Sequence, residues 1–593
     1  MINFNNLKKS LNIIPKKYSA RFLFIFFSHF ITNTLEIIGL GILPIVVVNI
    51  INPNKLQEFL FEKKLDFIAI LLNQNTSITL IFIFLIFFFL FKNILILYLG
   101  YLQRKLGIDT INWNRYLIFS NYFLMDYKKS IKKNPSNLIN SIVQEVPFAS
   151  STIENYLLIS REIFLIIFIF LAALFINPIA TVIIIFLLIL FVYFYYFLFE
   201  KSSKSRGDAF RKHRLLNLKI INETFDLLKE IKIYNKAFYF LNEFSIQLRL
   251  SEKYKLVNSV INSLPRLVLE VGLLMICLAL IEILNLFNVK VYEIIPILTF
   301  FAVSSLRLIP SFKVLASSIN QINFANSSLN IVCDEILQCN QDYNIENLDK
   351  NNFNKRTENK YFIDTIKFKN VFFKYSPNDE YILKNINISF NKGERVGIIG
   401  ESGSGKSTLI NLLLGLLKPV SGQIEIESNK KILDIQNIDN VFGYVPQNIS
   451  VLNQSILKNI AFGEDNNSVD HQLIKKVFKT CNMQSLIENL EKKEETIIDN
   501  KGVNLSGGQV QRIGIARAIY RKPKILIMDE ATNALDYKNE KEIIDEVINL
   551  EKDMIIFVIA HRIECLEKCD RIIKVSKNEI TEIDKSKLIK EYL

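Results

Sequence analysis

Hydrophobic patterning divides the chain in two. Before about Pro310 the apolar residues run in long blocks; after about Tyr361 they fall into short β-rich runs broken by turn residues. Six blocks approach the roughly 20 apolar residues needed to cross the hydrocarbon core of a bilayer. They are Phe22–Ile51, Ile78–Tyr101, Tyr156–Ile176, Thr181–Phe199, Arg266–Phe287 and Ile294–Phe312. Only "NPIA" separates the third from the fourth, and Asn177-Pro178 predicts a turn rather than one continuous helix. The intervening segment Asn52–Asn75 contains "NKLQEFLFEKKLDFIAILL", amphipathic but short of a full span. It reads either as a helix lying on the outer membrane surface or as an ordinary connector.

Basic residues set the orientation of such a helical region. Lys8, Lys9, Lys16, Lys17 and Arg21 precede the first span; Arg104, Lys105, Lys128, Lys129, Lys132 and Lys133 follow the second. Lys201, Lys204, Arg206, Arg211, Lys212 and Arg214 follow the fourth, whereas the opposite loops carry Lys55, Lys63, Lys64 and Lys290. Both termini are therefore expected in the cytoplasm. The inner loops, about 102–155 and 200–262, are charged and helix-patterned, as in "INETFDLLKEIKIYNKAFYFLNEF", so the spanning helices should continue well beyond the membrane.

Composition agrees with this division. Half of the 593 residues are hydrophobic and the mean hydropathy is +0.25, high for a soluble chain of this size. The net charge of +13 is accounted for by cytoplasmic lysines; without an aromatic-studded basic patch or a nucleic-acid motif, a nucleic-acid partner is not expected. None of the six cysteines (277, 333, 339, 481, 565 and 569) forms a CxxC pair, which argues against a zinc site or a disulfide framework. The first apolar run is too long for a cleavable signal and has no small-residue cleavage site.

Chemistry concentrates in the last third. "RVGIIGESGSGKSTLINLLLGL" places Gly400, Glu401, Ser402, Gly403, Ser404, Gly405, Lys406, Ser407 and Thr408 between an apolar strand and an apolar helix. Glycines in that context let backbone N–H groups close round phosphates at a helix N-terminus. Lys406 then reaches the β- and γ-phosphates and the Ser407 hydroxyl serves Mg²⁺. Downstream, "KILIMDEATNALD" ends an apolar strand in Asp529 and Glu530, one carboxylate to hold Mg²⁺ and its neighbour to orient or deprotonate a water. Between them, Ser506-Gly507-Gly508 before a helix makes a second anion-cradling terminus. With the phosphate loop already complete, a head-to-tail dimer would offer this terminus to the partner's γ-phosphate.

Together these motifs resemble the nucleotide-binding domain of ABC transporters over roughly residues 360–593. "LSGGQ" (Leu505–Gln509) is similar to the family signature, which implies that Gln509 joins Ser506, Gly507 and Gly508 in ATP binding. The resemblance also implies that Tyr375 of "NVFFKY" stacks on adenine, that Gln447 of "GYVPQN" senses Mg²⁺ and couples to the membrane region, that Asp536 of "NALD" crosses the dimer interface, and that His561 of "VIAHR" switches on the γ-phosphate. It further implies coupling helices near Ser136–Gln144 and Tyr234–Phe240. Where exporters usually carry Gly-Glu before the signature, this chain has Asp499-Asn500. The implied fold class is a polytopic α-helical membrane domain, residues 1–320, then a linker, 321–359, and an α/β P-loop ATPase domain, 360–593. A half-size exporter using ATP and Mg²⁺ and working as a homodimer follows.

Three spans carry basic residues: Lys92 in "FLFKNILILYLGY", Arg266 in "LPRLVLEV" and Arg307 in "VSSLRLIPSF". Charge inside a membrane helix is costly, which marks such residues as functional candidates. Each has an ordinary explanation as well: snorkelling to the headgroups, or for Arg266 an i,i+4 pair with Glu270. Their similar depth towards the cytoplasmic leaflet favours a basic belt round a cavity for an anionic ligand. "SLPRLVLEVG", "LRLIPS" and "FKNILILY" resemble segments of bacterial lipid-linked oligosaccharide flippases. This implies a polyprenyl-pyrophosphate glycan as cargo and the bacterial inner membrane as location. The alternatives are export of a lipid A-like lipid, a peptide or a hydrophobic drug. The six spans argue against an ABC ATPase acting on DNA, and Glu530 argues against a silent regulator or a gated channel.

Overall fold

The computed structural model describes residues 4–51, 78–176, 178–286, 291–342, 362–429, 431–435, 438, 441–498, 505–530, 546–547, 552–559, 566, 568–576 and 578–584. The chain forms two compact units, Met1–Met125 with Lys132–Leu348, and Asp126–Ile131 with Asp349–Leu593.

Helices build the first unit. In chain order they are α1 (Phe4–Asn12), α2 (Lys16–Ile51), α3 (Ile78–Leu124), then, after the short α4 (Tyr127–Ser130) of the second unit, α5 (Pro135–Asn140), α6 (Val146–Ile176), α7 (Pro178–Asp226), α8 (Leu228–Ile233), α9 (Ala237–Leu286), α10 (Val291–Phe324) and α11 (Asn326–Asp342). The apolar blocks lie in α2, α3, α6, α7, α9 and α10, apart from Phe287, which is outside the described residues together with Asn52–Asn75. The third block ends at Ile176, and Pro178 opens the next helix, a position where its missing N–H costs nothing. Among the described residues, Lys16–Gly39, Ile83–Leu124 and Pro135–Leu174 are long and apolar enough to cross a membrane. The 47 residues of α3 span about 70 Å at 1.5 Å per residue, over twice a hydrocarbon core of about 30 Å. The expected continuation of the helices beyond the spans follows from that length.

One sequence boundary shifts. Residues 321–342, read as linker, continue α10 and form α11 inside the first unit. Leu329, Val332, Cys333 and Ile336 follow helical spacing and bury against Ile13, Leu117 and Val146. The segment expected to couple, Ser136–Gln144, forms α5 and a π-helical turn (Ser141–Glu145) of the first unit, whereas the upstream Asp126–Ile131 groups with the second. A short polar stretch such as "DYKKSI" carries no apolar period to announce this.

A buried polar cluster holds the π turn. Glu145, fully buried, accepts hydrogen bonds from Asn140 Nδ2 (2.7 Å), Arg214 Nη2 (2.6 Å) and Arg211 Nε (3.2 Å). Nearby, Glu335 of α11 accepts from Ser141 Oγ at 3.0 Å. Burial raises the Glu335 carboxyl above the ordinary glutamate range; the Ser141 bond, Lys133 and Arg211 oppose this and Glu145 adds to it. A carboxyl raised by folding stabilises the fold below its unfolded pKa, and that contribution is lost as pH rises through the folded value. Glu335→Gln should therefore gain about 2–4 °C over the parent chain at pH 8 and much less at pH 5, read by thermal unfolding in detergent.

The second unit contains a four-stranded antiparallel sheet ordered β2-β1-β4-β5, from β1 (Thr365–Phe373), β2 (Leu383–Asn391), β4 (Ser421–Ser428) and β5 (Lys431–Asp434). Its six-stranded sheet is ordered β12-β11-β3-β10-β9-β6, from β3 (Arg395–Ile399), β6 (Phe442–Val445), β9 (Ile525–Asp529), β10 (Ile555–Ile559), β11 (Arg571–Ser576) and β12 (Glu579–Ile583). Every neighbouring pair from β11 to β6 is parallel. Runs such as "IIFVI" in β10 are buried throughout, as expected of parallel strands covered on both faces. A two-stranded pair, β7 (Gln454–Ser455) and β8 (Ile497–Ile498), and helices α12 (Lys406–Leu413), α13 (Ile456–Ile460), α14 (His471–Thr480), α15 (Gln484–Glu488) and α16 (Gly507–Tyr520) accompany the sheets, and α12 and α16 carry the motif residues at their N-termini.

Candidate nucleotide and metal site

β3 runs directly into the glycine loop, and α12 begins at Lys406 with Gly405 as its N-cap. Gly400, Gly403 and Gly405 have φ of +155°, +79° and +106°, a region L side chains rarely adopt. A Cβ on Gly400 would sit 2.3 Å from the carbonyl oxygen of Val575, so the loop passes β11 at backbone distance. Lys406 Nζ folds back to donate to the carbonyls of Gly400 (2.5 Å) and Glu401 (2.9 Å). Among the described residues, Ser404 Oγ is buried without a hydrogen-bond partner. Tyr375, just past β1, brings its hydroxyl 3.3 Å from Thr408 Oγ1, which sets its ring beside the loop.

The carboxylates leave the end of β9, separated from β3 by β10 alone. Glu530 has φ +50°, uncommon for a residue with a side chain, and its N–H donates to Ile559 at the end of β10 (3.1 Å). Asp529 and Lys406 lie within electrostatic reach of each other. Burial raises the Asp529 carboxyl; a hydrogen bond from Tyr444 and the charge of Lys406 pull it down, while Glu530 pushes it up. Gln447 Nε2 donates to Glu530 Oε2 at 2.5 Å.

At the signature, Ser506 caps α16. Its Oγ accepts from the Gln509 N–H (3.3 Å), while Gln509 Oε1 accepts from the Ser506 N–H (2.8 Å). The spacing Ser-x-x-Gln is a capping box, so the motif's glutamine has a local reason to be there. Gly507 and Gly508 fill the first turn between them.

The residues present fit a nucleotide with its metal. Left-handed glycines and the orphan Ser404 hydroxyl suit a phosphate chain. Ser407, Gln447 and Asp529 offer hard oxygen donors, the type Mg²⁺ takes alongside phosphate oxygens. His561, Asp536 and Asp499-Asn500 lie outside the described residues.

The three basic residues of the apolar blocks separate into two groups. Arg307 Nη2 pairs with Glu36 Oε1 of α2, and the charge of Lys92, whose ammonium lies 4.6 Å from the Phe89 ring centroid, acts on both partners. Arg266 instead pairs with Glu270 on its own helix at 2.7 Å, its side chain 61% exposed. Glu36 is a carboxylate inside an apolar block, itself a signal of function that the sequence carries.

Residues 383–533 match the family described as ABC transporter. The leukotoxin translocation ATP-binding protein LktB of Mannheimia glucosida is 41% identical over 218 residues, which is 37% of this chain and 30% of that protein. The alpha-hemolysin translocation ATP-binding protein HlyB of Escherichia coli is 40% identical over 223 residues, 37% of this chain and 31% of that protein. The chain thus spans about a third of the length of these curated relatives. A solved bacterial Atm1-family ABC exporter with ATP bound aligns over 97% of this chain and 96% of that one, with a TM-score of 0.72 and 17% identity, a likeness of fold. The second unit holds the residues that match the ABC transporter family. A helical region followed by this domain gives the chain the fold of that solved ABC exporter.

Proposed function

We propose that the chain is one half of an ATP-driven exporter that works as a homodimer in a bacterial inner membrane, ATPase domain and termini cytoplasmic. The observation that carries the ATPase reading is the convergence of the glycine loop, Lys406, Asp529 and Glu530 on strands flanking β10. Tyr375 would stack on the base, and the loop N–H groups and Lys406 would hold the phosphates. Ser407, Gln447 and Asp529 would hold Mg²⁺, which when bound neutralises charge on the β- and γ-phosphates. Glu530 accepts a proton from the attacking water and His561 steadies the γ-phosphate. Ser506, Gly507 and Gly508 face the partner copy's nucleotide. Coupling to the membrane region falls to the segments near Ser136–Gln144 and Tyr234–Phe240; within the second of these, Tyr234 and Phe238 are 68% and 81% exposed.

For cargo, the pairing of Glu36 with Arg307 beside Lys92 supports an anionic headgroup, the pyrophosphate of a lipid-linked oligosaccharide being the favoured one. Each charge-assisted bond lost is worth about 1.5–3 kcal/mol, or roughly tenfold and more. In liposomes with a fluorescent polyprenyl-pyrophosphate oligosaccharide, Arg307→Ala and Lys92→Ala should each slow ATP-dependent translocation about tenfold, with basal ATPase within about twofold of the parent. Translocation absent from the parent despite ATP hydrolysis would reject this cargo and point to another lipid, a peptide or a drug.

A further inference from the structure

Tyr444 lies on β6, opposite Ile527 in the parallel register that places Val445 beside Met528. Its hydroxyl donates to Asp529 Oδ2 at 3.3 Å. Three residues on, Gln447 donates to Glu530, so one short strand and its following turn hold both carboxylates that end β9. Tyr444 is 39% exposed, more than a residue kept only for core packing, and the oxygen it holds belongs to the residue assigned to the metal. An aspartate free to turn about its side-chain bonds must be ordered before it can ligate; a donor on one oxygen sets the carboxylate plane in advance.

We infer that Tyr444 is a positioning residue: its hydroxyl orients Asp529 and so sets the affinity of the nucleotide site for Mg²⁺. This rests on the ATPase reading. Partners of metal-ligating groups typically contribute 10–100-fold to metal affinity. Tyr444→Phe removes one oxygen and keeps the ring.

The direct measurement is Mn²⁺ binding to the full-length protein in detergent with a non-hydrolysable ATP analogue, followed by the paramagnetic resonance of the free ion. Tyr444→Phe should weaken Mn²⁺ binding about tenfold, while analogue binding in EDTA stays within about twofold of the parent. The Mg²⁺ concentration for half-maximal ATPase should rise by the same factor, with smaller loss at saturating Mg²⁺. Phe442→Leu, on the same strand and without a polar group, should leave Mn²⁺ affinity unchanged. Unaltered Mn²⁺ affinity in Tyr444→Phe would overturn the assignment, and so would an equal loss of metal-free analogue binding, which would indicate damage to packing. A parent protein that binds Mn²⁺ with nucleotide but hydrolyses no ATP would defeat the ATPase reading and leave the metal measurement decisive.

Discussion

Glu530→Gln should cut ATP turnover by about a thousandfold and leave ATP bound, as a general base typically contributes 10²–10⁴-fold. The substitution is close to isosteric. Gln447 Nε2 still has a carbonyl to donate to at position 530, and the N–H of residue 530 still reaches Ile559, so the unusual +50° backbone is supported as before. What disappears is the capacity to take a proton from water. Steady-state phosphate release and equilibrium binding of a fluorescent ATP analogue separate the two effects. A fall of less than tenfold would place the base elsewhere.

Gly400→Ala is expected to act on binding with comparable force. Its Cβ would meet the Val575 carbonyl at 2.3 Å and Ser404 Oγ at 2.7 Å, and the first of these is backbone that cannot swing away. Strain of about 3 kcal/mol corresponds to roughly two orders of magnitude in ATP affinity. Gly403→Ala is the contrast: a Cβ there meets nothing within 4 Å, so only its +79° backbone opposes the change, about 1 kcal/mol or roughly fivefold. Titration of both variants with a fluorescent ATP analogue reads the difference directly. Equal effects would mean that the conformation of the loop, and not its closeness to β11, decides binding.

Much of this geometry was legible because it is local. The phosphate loop is a contiguous run between a strand and a helix, and Asp529-Glu530 end a continuous apolar strand, so spacing alone placed them. The spans were legible because a bilayer demands length and apolarity together. The rest depends on pairing across the chain. Tyr444 is one aromatic among 22 tyrosines until the β6–β9 register brings it to Asp529. Arg307 meets Glu36 from opposite ends of the helical region, and no periodicity relates residues so far apart. Arg266 is the reverse case: its partner lies four residues away, and the i,i+4 rule anticipated it. The helix Asn326–Asp342 carried an apolar period, but its position after the last span favoured a linker reading.

The order of strands has a mechanical consequence. Loop and carboxylates stand on β3 and β9, each clamped between two neighbours, whereas β6 is a four-residue strand at the flank, attached along one side only among the described residues. Parting one ladder is far easier than shearing the middle of a sheet. Tyr444, and Gln447 just beyond it, therefore reach the strand-end carboxylates from the flank of the sheet, so the site's metal side is built on its least-supported strand while the phosphate side is built on its interior.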